Sequence, residues 1–286
     1  MPIAQFKEKP YEKYFGHELA RIATASFSPD QCDEFHFGFD EAFMLPVEYF
    51  EVISFYRRHR RKRLLELGYT IQELSHICDA IAKNAPDFRF NLFVQYKRPK
   101  YLSQANATHW SHWNKPHYRY EITPHQHKAL EEINSISSNR ADVVYASPAF
   151  WKNEDLWKHG KNNTVVDNSN IANAALIKHG HKHFTYGDQG SFGKAHSEVE
   201  EIQSSPIRIM LERLRSNEPL PFSDHIKHAA KVAIQSTKVD RKTSAYFELA
   251  LRAYEINELP HDTVIRALAT LEAFSTAFDT SYWALS

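Results

Sequence analysis

The residues from 88 to 97 alternate between two kinds of side chain, as the residues of a β-strand do. One face consists of Phe88, Phe90, Leu92, Val94 and Tyr96, and the other of Arg89, Asn91, Phe93, Gln95 and Lys97. Gln95 and Lys97 therefore point the same way, about 6.6 Å apart along the strand. Two neighbouring polar side chains on an apolar strand predict either the polar face of an edge strand or a functional site.

Apolar residues at helical spacing and short apolar runs predict the other elements. Helices are predicted at 11–27, 47–67, 71–83, 124–136, 207–215, 225–235, 243–257 and 262–278, and strands at 35–45, 141–147, 164–167 and 183–186. The order strand, helix, strand between residues 88 and 147 favours parallel pairing through a right-handed crossover. We therefore expect an α/β domain followed, from about residue 196, by a helical region.

Length and composition exclude only a few classes of protein. The chain has 286 residues, of which 42% are hydrophobic, so it can bury a core in one large domain or in one domain with an accessory module. Its 35 Lys and Arg residues cancel its 35 Asp and Glu residues, so a surface for nucleic acid must be local. Two cysteines, no signal-peptide core and no apolar run of about 18 residues predict a cytoplasmic protein without a membrane segment.

One local basic segment stands out against the neutral composition. The run RRHRRKR lies on the helix predicted at 47–67, and its basic residues are Arg57, Arg58, Arg60, Arg61, Lys62 and Arg63. Clustered cations of this kind bind the phosphates of duplex DNA without regard to sequence. The segment predicts a DNA-binding surface, with a solvated helix face as the alternative.

Acidic residues upstream provide candidate partners for Gln95 and Lys97. Asp40 lies on the strand predicted at 35–45, and Glu18 lies on the first helix. Mg²⁺ binds hard oxygen ligands, so Asp40 would provide a carboxylate and Gln95 an amide oxygen. Lys97 would then orient the attacking water or offset the charge that develops on a phosphate. This set predicts a site for Mg²⁺ or Mn²⁺.

The order of these elements resembles that of the PD-(D/E)xK restriction-endonuclease-like nucleases. The likeness consists of a helix with Glu18, a strand with Asp40, a strand with Gln95-x-Lys97, a helix with Gln126 and a strand at 141–147. It is similar to the variants in which glutamine replaces the second acid, such as the Mrr-type restriction enzymes and the nuclease domains of bacterial anti-phage effectors. The resemblance covers roughly residues 11–150, and it implies a mixed sheet flanked by helices.

The resemblance also implies a function and an organisation of the chain. A nuclease domain would occupy residues 1–195 with a helical insertion at about 46–87, and 196–286 would be a helical domain for oligomerisation or partner binding. The chain would be a metal-dependent DNA endonuclease, the effector of a bacterial anti-phage defence system. Asp40, Gln95, Lys97 and Glu18 would be its catalytic residues, and Asp40, Gln95 and Glu18 its metal ligands. Double-stranded DNA, a regulatory or sensor protein and a second copy of the chain would be its partners. The alternative is a nuclease fold that binds nucleic acid or acts as a scaffold without catalysis.

The chain is also rich in histidine, with 17 residues. In the segment HGHKH, His179, His181 and His183 would share one face of a strand, which predicts a zinc site or, as the alternative, a polar surface. A metal-dependent hydrolase built on this segment is a third hypothesis. Further along, Ser197 and Glu200 have the spacing of a capping box and predict the start of a helix.

Overall fold

The computed structural model describes residues 2–22, 26–27, 58–189, 192–204, 206–214 and 216–286. Within them the chain is mixed α/β. Its α-helices are α1 Glu8–Ile22, α2 Arg58–Glu66, α3 Ile71–Ala82, α4 Pro124–Ile136, α5 Asn153–Asn162, α6 Ile207–Leu214, α7 Phe222–Ser236, α8 Arg241–Ala253 and α9 Val264–Phe278. None of these described helices combines the length and the apolar character needed to cross a membrane.

The described strands form two sheets of five. They are β1 Ser26–Phe27, β2 Phe90–Tyr96, β3 Lys100–Leu102, β4 His117–Glu121, β5 Ala141–Pro148, β6 Ser169–Asn173, β7 His183–Tyr186, β8 Phe192–His196, β9 Glu200–Gln203 and β10 Ser281–Leu285. The first sheet has the order β1-β10-β2-β5-β6, and the second has the order β3-β4-β7-β8-β9.

The first sheet is mixed. The pairs β1–β10 and β5–β6 are antiparallel. Between β2 and β5, the main-chain N–H of Asn91 donates to Arg140 and that of Lys97 donates to Ala146, both at 2.9 Å. From the first bond to the second, the residue number rises by six in both segments, so the two strands run in the same direction. The parallel pairing predicted for this segment is confirmed.

The second sheet is antiparallel throughout and has two unlike faces. Tyr120, Phe184, Tyr186 and Ala195 are buried on one face. The register pairs Arg119 with Thr185, Thr185 with Lys194 and His183 with His196, so these polar side chains share the opposite face. The alternation therefore separates an aromatic core from a row of basic and histidine side chains.

Two compact units make up the chain, and neither is continuous in sequence. The first consists of Met1–Ile22, Val94–Glu131 and Val143–Arg213, and the second of Ala23–Phe93, Glu132–Asp142 and Leu214–Ser286. These bounds differ from a division at residue 195. All the second-sheet residues belong to the first unit.

Aromatic packing holds the first unit together. The rings of Tyr11 and Phe15, one turn apart on α1, meet the Tyr96 ring edge-on at centroid distances of 5.7 and 5.4 Å. The Tyr186 hydroxyl lies 2.7 Å from Ser147 Oγ and donates to the Pro148 carbonyl oxygen at 2.8 Å. Because Tyr96 alternates with Gln95 and Lys97, α1 packs on the face of β2 opposite to those two side chains.

The second unit is built around α9, whose side chains are buried along nearly its whole length. Phe274 meets Phe93 of β2 edge-on at 5.6 Å. The Tyr282 hydroxyl donates to Asn91 Oδ1 at 2.6 Å, which satisfies a polar side chain with no exposed surface. Every residue of β2 is buried and the strand lies between β10 and β5, so the alternative of a polar face on an edge strand is wrong.

Several predicted elements have other bounds or another type. Residues 197–199 form the turn between β8 and β9, and Glu200 pairs with Ala195 across it. The predicted capping box is therefore wrong, because Glu200 begins a strand. Residues 164–167 form a turn before β6, and α5, β4 and β10 were not predicted. The strand predicted at 35–45 lies outside the described residues.

Candidate functional site

Gln95 and Lys97 lie at the end of β2, where the sequence placed them side by side. Gln95 Nε2 donates to Oε1 of Gln126, in the first turn of α4, at 3.1 Å. Gln95 has no exposed surface, and Lys97 is 8% exposed. The strand glutamine and the helix glutamine of the predicted nuclease arrangement are thus in direct contact. Asp40, the predicted carboxylate, lies outside the described residues.

Among the described residues, an aromatic ring lies close to the lysine. Lys97 Nζ lies 5.6 Å from the centroid of the Tyr145 ring, within the range of a cation–π contact. His127 Nδ1 is 2.8 Å from the Tyr145 hydroxyl, and its Nε2 is 2.6 Å from the Ile177 carbonyl oxygen. A carbonyl oxygen only accepts, so Nε2 carries the proton and Tyr145 donates to Nδ1.

Burial sets the protonation of this pair. It lowers the pKa of His127 to about 4, and the positive charge of Lys97 acts in the same direction. Burial also raises the pKa of the Tyr145 hydroxyl well above its ordinary value. Both groups are therefore neutral near pH 7, and Lys97 provides the positive charge at this end of β2.

Glu18 belongs to a different environment. It lies on the buried side of α1, the helix that packs on the Tyr96 face of β2. Its Oε2 accepts a hydrogen bond from the main-chain N–H of Val166 at 3.1 Å. Burial raises the pKa of Glu18, while main-chain N–H groups and Arg208 act against that rise. A hydrogen bond joins Gln95 to Gln126, and strand alternation puts Lys97 on the same face of β2 as Gln95. Glu18 lies on α1, which packs on the opposite face.

The basic segment divides into buried and exposed residues. The Arg61 guanidinium donates to the Tyr254 carbonyl oxygen at 2.9 Å and to a Glu255 carboxylate oxygen at 3.0 Å. Its side chain is 3% exposed, so Arg61 holds α2 in the second unit and does not face solvent. Lys62 and Arg63 are exposed. Arg57 lies outside the described residues, as do the side chains of Arg58 and Arg60.

The histidines of HGHKH do not share a strand face. Strand β7 begins at His183, and the two histidines before it lie in the preceding connection. His181 Nε2 lies 3.4 Å from a Glu200 carboxylate oxygen, and Ser197 Oγ lies 3.3 Å from its Nδ1. The shared strand face predicted for these histidines is therefore wrong, because the chain turns between His179 and His183.

A histidine cluster on the polar face of the second sheet was missed. It consists of His109 and His112, in the loop between β3 and β4, and His196 at the end of β8. One ring nitrogen from each lies within 4.8 Å of the others. Burial lowers the pKa of His109 to about 4 and that of His196 to about 3, so both rings are neutral at pH 7. The spacing H-x-x-H at 109–112 was visible in the sequence, but only the strand register brings His196 to it.

Comparison with known proteins identified no relative of this chain. No protein-family model, no curated protein and no solved structure matches the chain.

Proposed function

We propose that this chain is a metal-dependent DNA endonuclease that works at the end of β2. The contact between Gln95 and Gln126, with Lys97 two residues further along the same strand, is the observation on which the proposal rests. Polar side chains seldom occupy a fully covered central strand, since each buried polar atom needs a partner. A glutamine pair beside a buried lysine is therefore better explained by a site than by packing.

The residues fit a hard divalent cation in part. Gln95 uses its Nε2 toward α4, so its Oε1 faces away from that helix, and an amide oxygen is a ligand for Mg²⁺ or Mn²⁺. The carboxylate that such an ion needs is assigned to Asp40. Glu18, on the opposite face of β2, is no longer part of the proposed metal set.

Each side chain would have a separate task. A bound Mg²⁺ would polarise the scissile phosphate and lower the pKa of a water. Lys97 would offset the negative charge that develops on the phosphate, since a cation in a largely water-free setting acts more strongly than one in solvent. Gln126 would fix the rotation of the Gln95 amide. His127 and Tyr145 would both be neutral beside Lys97.

A second function is favoured by the burial of this site. With Gln95 covered and Lys97 8% exposed, DNA reaches neither side chain without a local opening. A nuclease fold without catalysis, acting as a nucleic-acid-binding or scaffold protein, needs no such opening. The defence setting and a regulatory partner that opens the site belong to the first proposal, with duplex DNA as its substrate.

Nicking of a supercoiled plasmid separates the two functions. Wild-type protein should nick the plasmid in Mg²⁺ or Mn²⁺, and EDTA should stop the reaction. Lys97→Met keeps the apolar stem and removes the charge, so its rate should fall on the order of 10²- to 10³-fold. Lys158→Ala, at an exposed position on α5, is the matched control and should cleave as the wild type does. Equal cleavage by Lys97→Met and wild type would reject the proposed site, and no cleavage by any form would favour the scaffold.

A further inference from the structure

We propose that His109, His112 and His196 bind a zinc ion, at a site separate from the end of β2. All three provide imidazole nitrogen, which first-row transition metals prefer and Mg²⁺ does not. Three protein ligands leave a fourth position open for water or for an anionic oxygen. The proposal does not depend on nuclease activity.

Two buried ring nitrogens support a ligand at this place. His196 Nδ1 and His109 Nε2 have no exposed surface and no hydrogen-bond partner among the described residues. Buried polar atoms are normally hydrogen-bonded, so two such atoms in one cluster need an explanation. A metal ion between them would satisfy both lone pairs.

The partner of the other His196 nitrogen is compatible with the tautomer that a metal requires. His196 Nε2 lies 2.7 Å from Thr185 Oγ1. Thr185 Oγ1 also accepts from Trp113 Nε1 at 2.9 Å and lies 3.4 Å from the Lys194 carbonyl oxygen, to which it donates. In this arrangement the threonine accepts from His196 Nε2–H, and Nδ1 keeps a lone pair for a metal ion. Metal-binding histidines ordinarily have such a partner on the distal nitrogen.

The backbone conformation of the loop between β3 and β4 places His109 and His112 close to each other. His109 has φ 67° and ψ 12°, a left-handed conformation that is uncommon for a residue with a side chain. It precedes a short 3₁₀ turn, Trp110–His112, in which residues three apart lie on the same side. Lys194 Nζ donates to the His112 carbonyl oxygen at 2.9 Å and ties this turn to the sheet. The ring of His109 stacks on that of His196, with the ring centroids 3.7 Å apart.

The spacing is close to that of a metal site. Zinc with bonds of about 2.0–2.1 Å in tetrahedral geometry needs nitrogens about 3.3 Å apart. The nitrogens here lie within 4.8 Å of one another, so side-chain rotations that unstack His109 from His196 and bring the nitrogens up to about 1.5 Å closer would complete the shell. Arg119 lies on the same sheet face, and its positive charge favours an anion at the open position.

Zinc titration of the metal-free full-length protein tests this site. Wild type should bind one equivalent of Zn²⁺ by calorimetry, and Co²⁺ in its place should give the visible absorption of a tetrahedral ion. His112→Gln should weaken binding by more than about 100-fold, and Thr185→Val by about 10- to 100-fold. His179→Ala, an exposed histidine of the HGHKH segment, is the control and should bind as the wild type does.

Two results would overturn the proposal. The first is wild-type protein that takes up no stoichiometric zinc. The second is His112→Gln that binds zinc as tightly as wild type, and because His112 is only half-buried, this variant should keep its fold, as circular dichroism would verify. Lys97→Met should leave zinc binding unchanged, so failure of this site and failure of the nuclease proposal are distinguishable.

Discussion

The end of β2 and the histidine cluster belong to the same compact unit and offer different ligand atoms to a metal ion. At the end of β2, Gln95 bonds Gln126, and both nitrogens of His127 have partners. In the cluster, His109 and His196 each keep one buried nitrogen without a hydrogen bond among the described residues. The cluster would hold a transition metal with imidazole nitrogens from the described residues, whereas the hard cation proposed at the end of β2 needs a carboxylate from Asp40 and a local opening.

The largest effect should come from the residues assigned to the hard cation. Asp40→Ala should abolish plasmid cleavage, because it removes the carboxylate of the proposed metal site. Gln95→Ala should lower the rate on the order of 10²-fold or more. Gln95→Glu should retain activity, because glutamate provides a carboxylate on a side chain of the same length. Cleavage and urea unfolding are measured on the same preparations, so that loss of activity is not mistaken for loss of fold. Activity in Gln95→Ala equal to that of wild type would remove Gln95 from the site.

A smaller effect should be a change of stability with pH that depends on His127, which lies beside Tyr145 at the end of β2. Its pKa is about 4 in the folded protein and 6.5 ordinarily. As pH falls through this interval, the unfolded chain binds a proton at His127 that the folded chain does not, so the free energy of unfolding falls. At pH 5 this amounts to about 2 kcal/mol, from about 1.36 kcal/mol per pH unit.

Urea unfolding at pH 7 and pH 5 measures this loss. His127→Gln should lose less stability between the two pH values than the wild type does. His76→Gln, at an exposed position on α3, controls for the removal of a histidine and should behave as the wild type. The same loss in His127→Gln and in wild type would show that His127 does not stay neutral in the folded protein.

The smallest effect should come from the basic helix α2. Replacing Lys62 and Arg63 with alanine should weaken binding to duplex DNA of any sequence and reduce the salt slope by about one unit for each phosphate that is no longer bound. Arg61→Ala should act on stability instead, because its guanidinium is buried against Tyr254 and Glu255. Lys238→Ala, exposed in the same unit, is the control. An unchanged salt slope in the double variant would leave α2 as a solvated face.

Sequence pattern predicted what depends on neighbours along the chain. The period of two in β2 placed Gln95 and Lys97 on one face, and the Thr123-Pro124 start predicted α4 with its bounds. It could not show that both faces of β2 are covered, since burial depends on α1 and α9, which are distant in sequence. The alternation placed Asn91 on the same face as Gln95 and Lys97, and it could not show that Tyr282 satisfies Asn91 inside the core.

The histidine cluster could not be predicted in the same way. His196 was assigned to a helix start because Ser197 and Glu200 have capping-box spacing, and the antiparallel pairing of β8 with β9 overrides that local preference. His183 and His196 become neighbours only through the register of β7 and β8. Only that register brings His196 to the loop histidines, and it is not encoded in any short motif.

A crossed assay of two variants tests most directly whether cleavage belongs to the end of β2. Wild type, Lys97→Met and His112→Gln are each assayed for plasmid nicking in Mg²⁺ and for zinc stoichiometry. We predict that Lys97→Met loses cleavage and keeps its zinc, while His112→Gln loses zinc and keeps cleavage. Cleavage by Lys97→Met at the wild-type rate would contradict the account, whichever metal the protein holds.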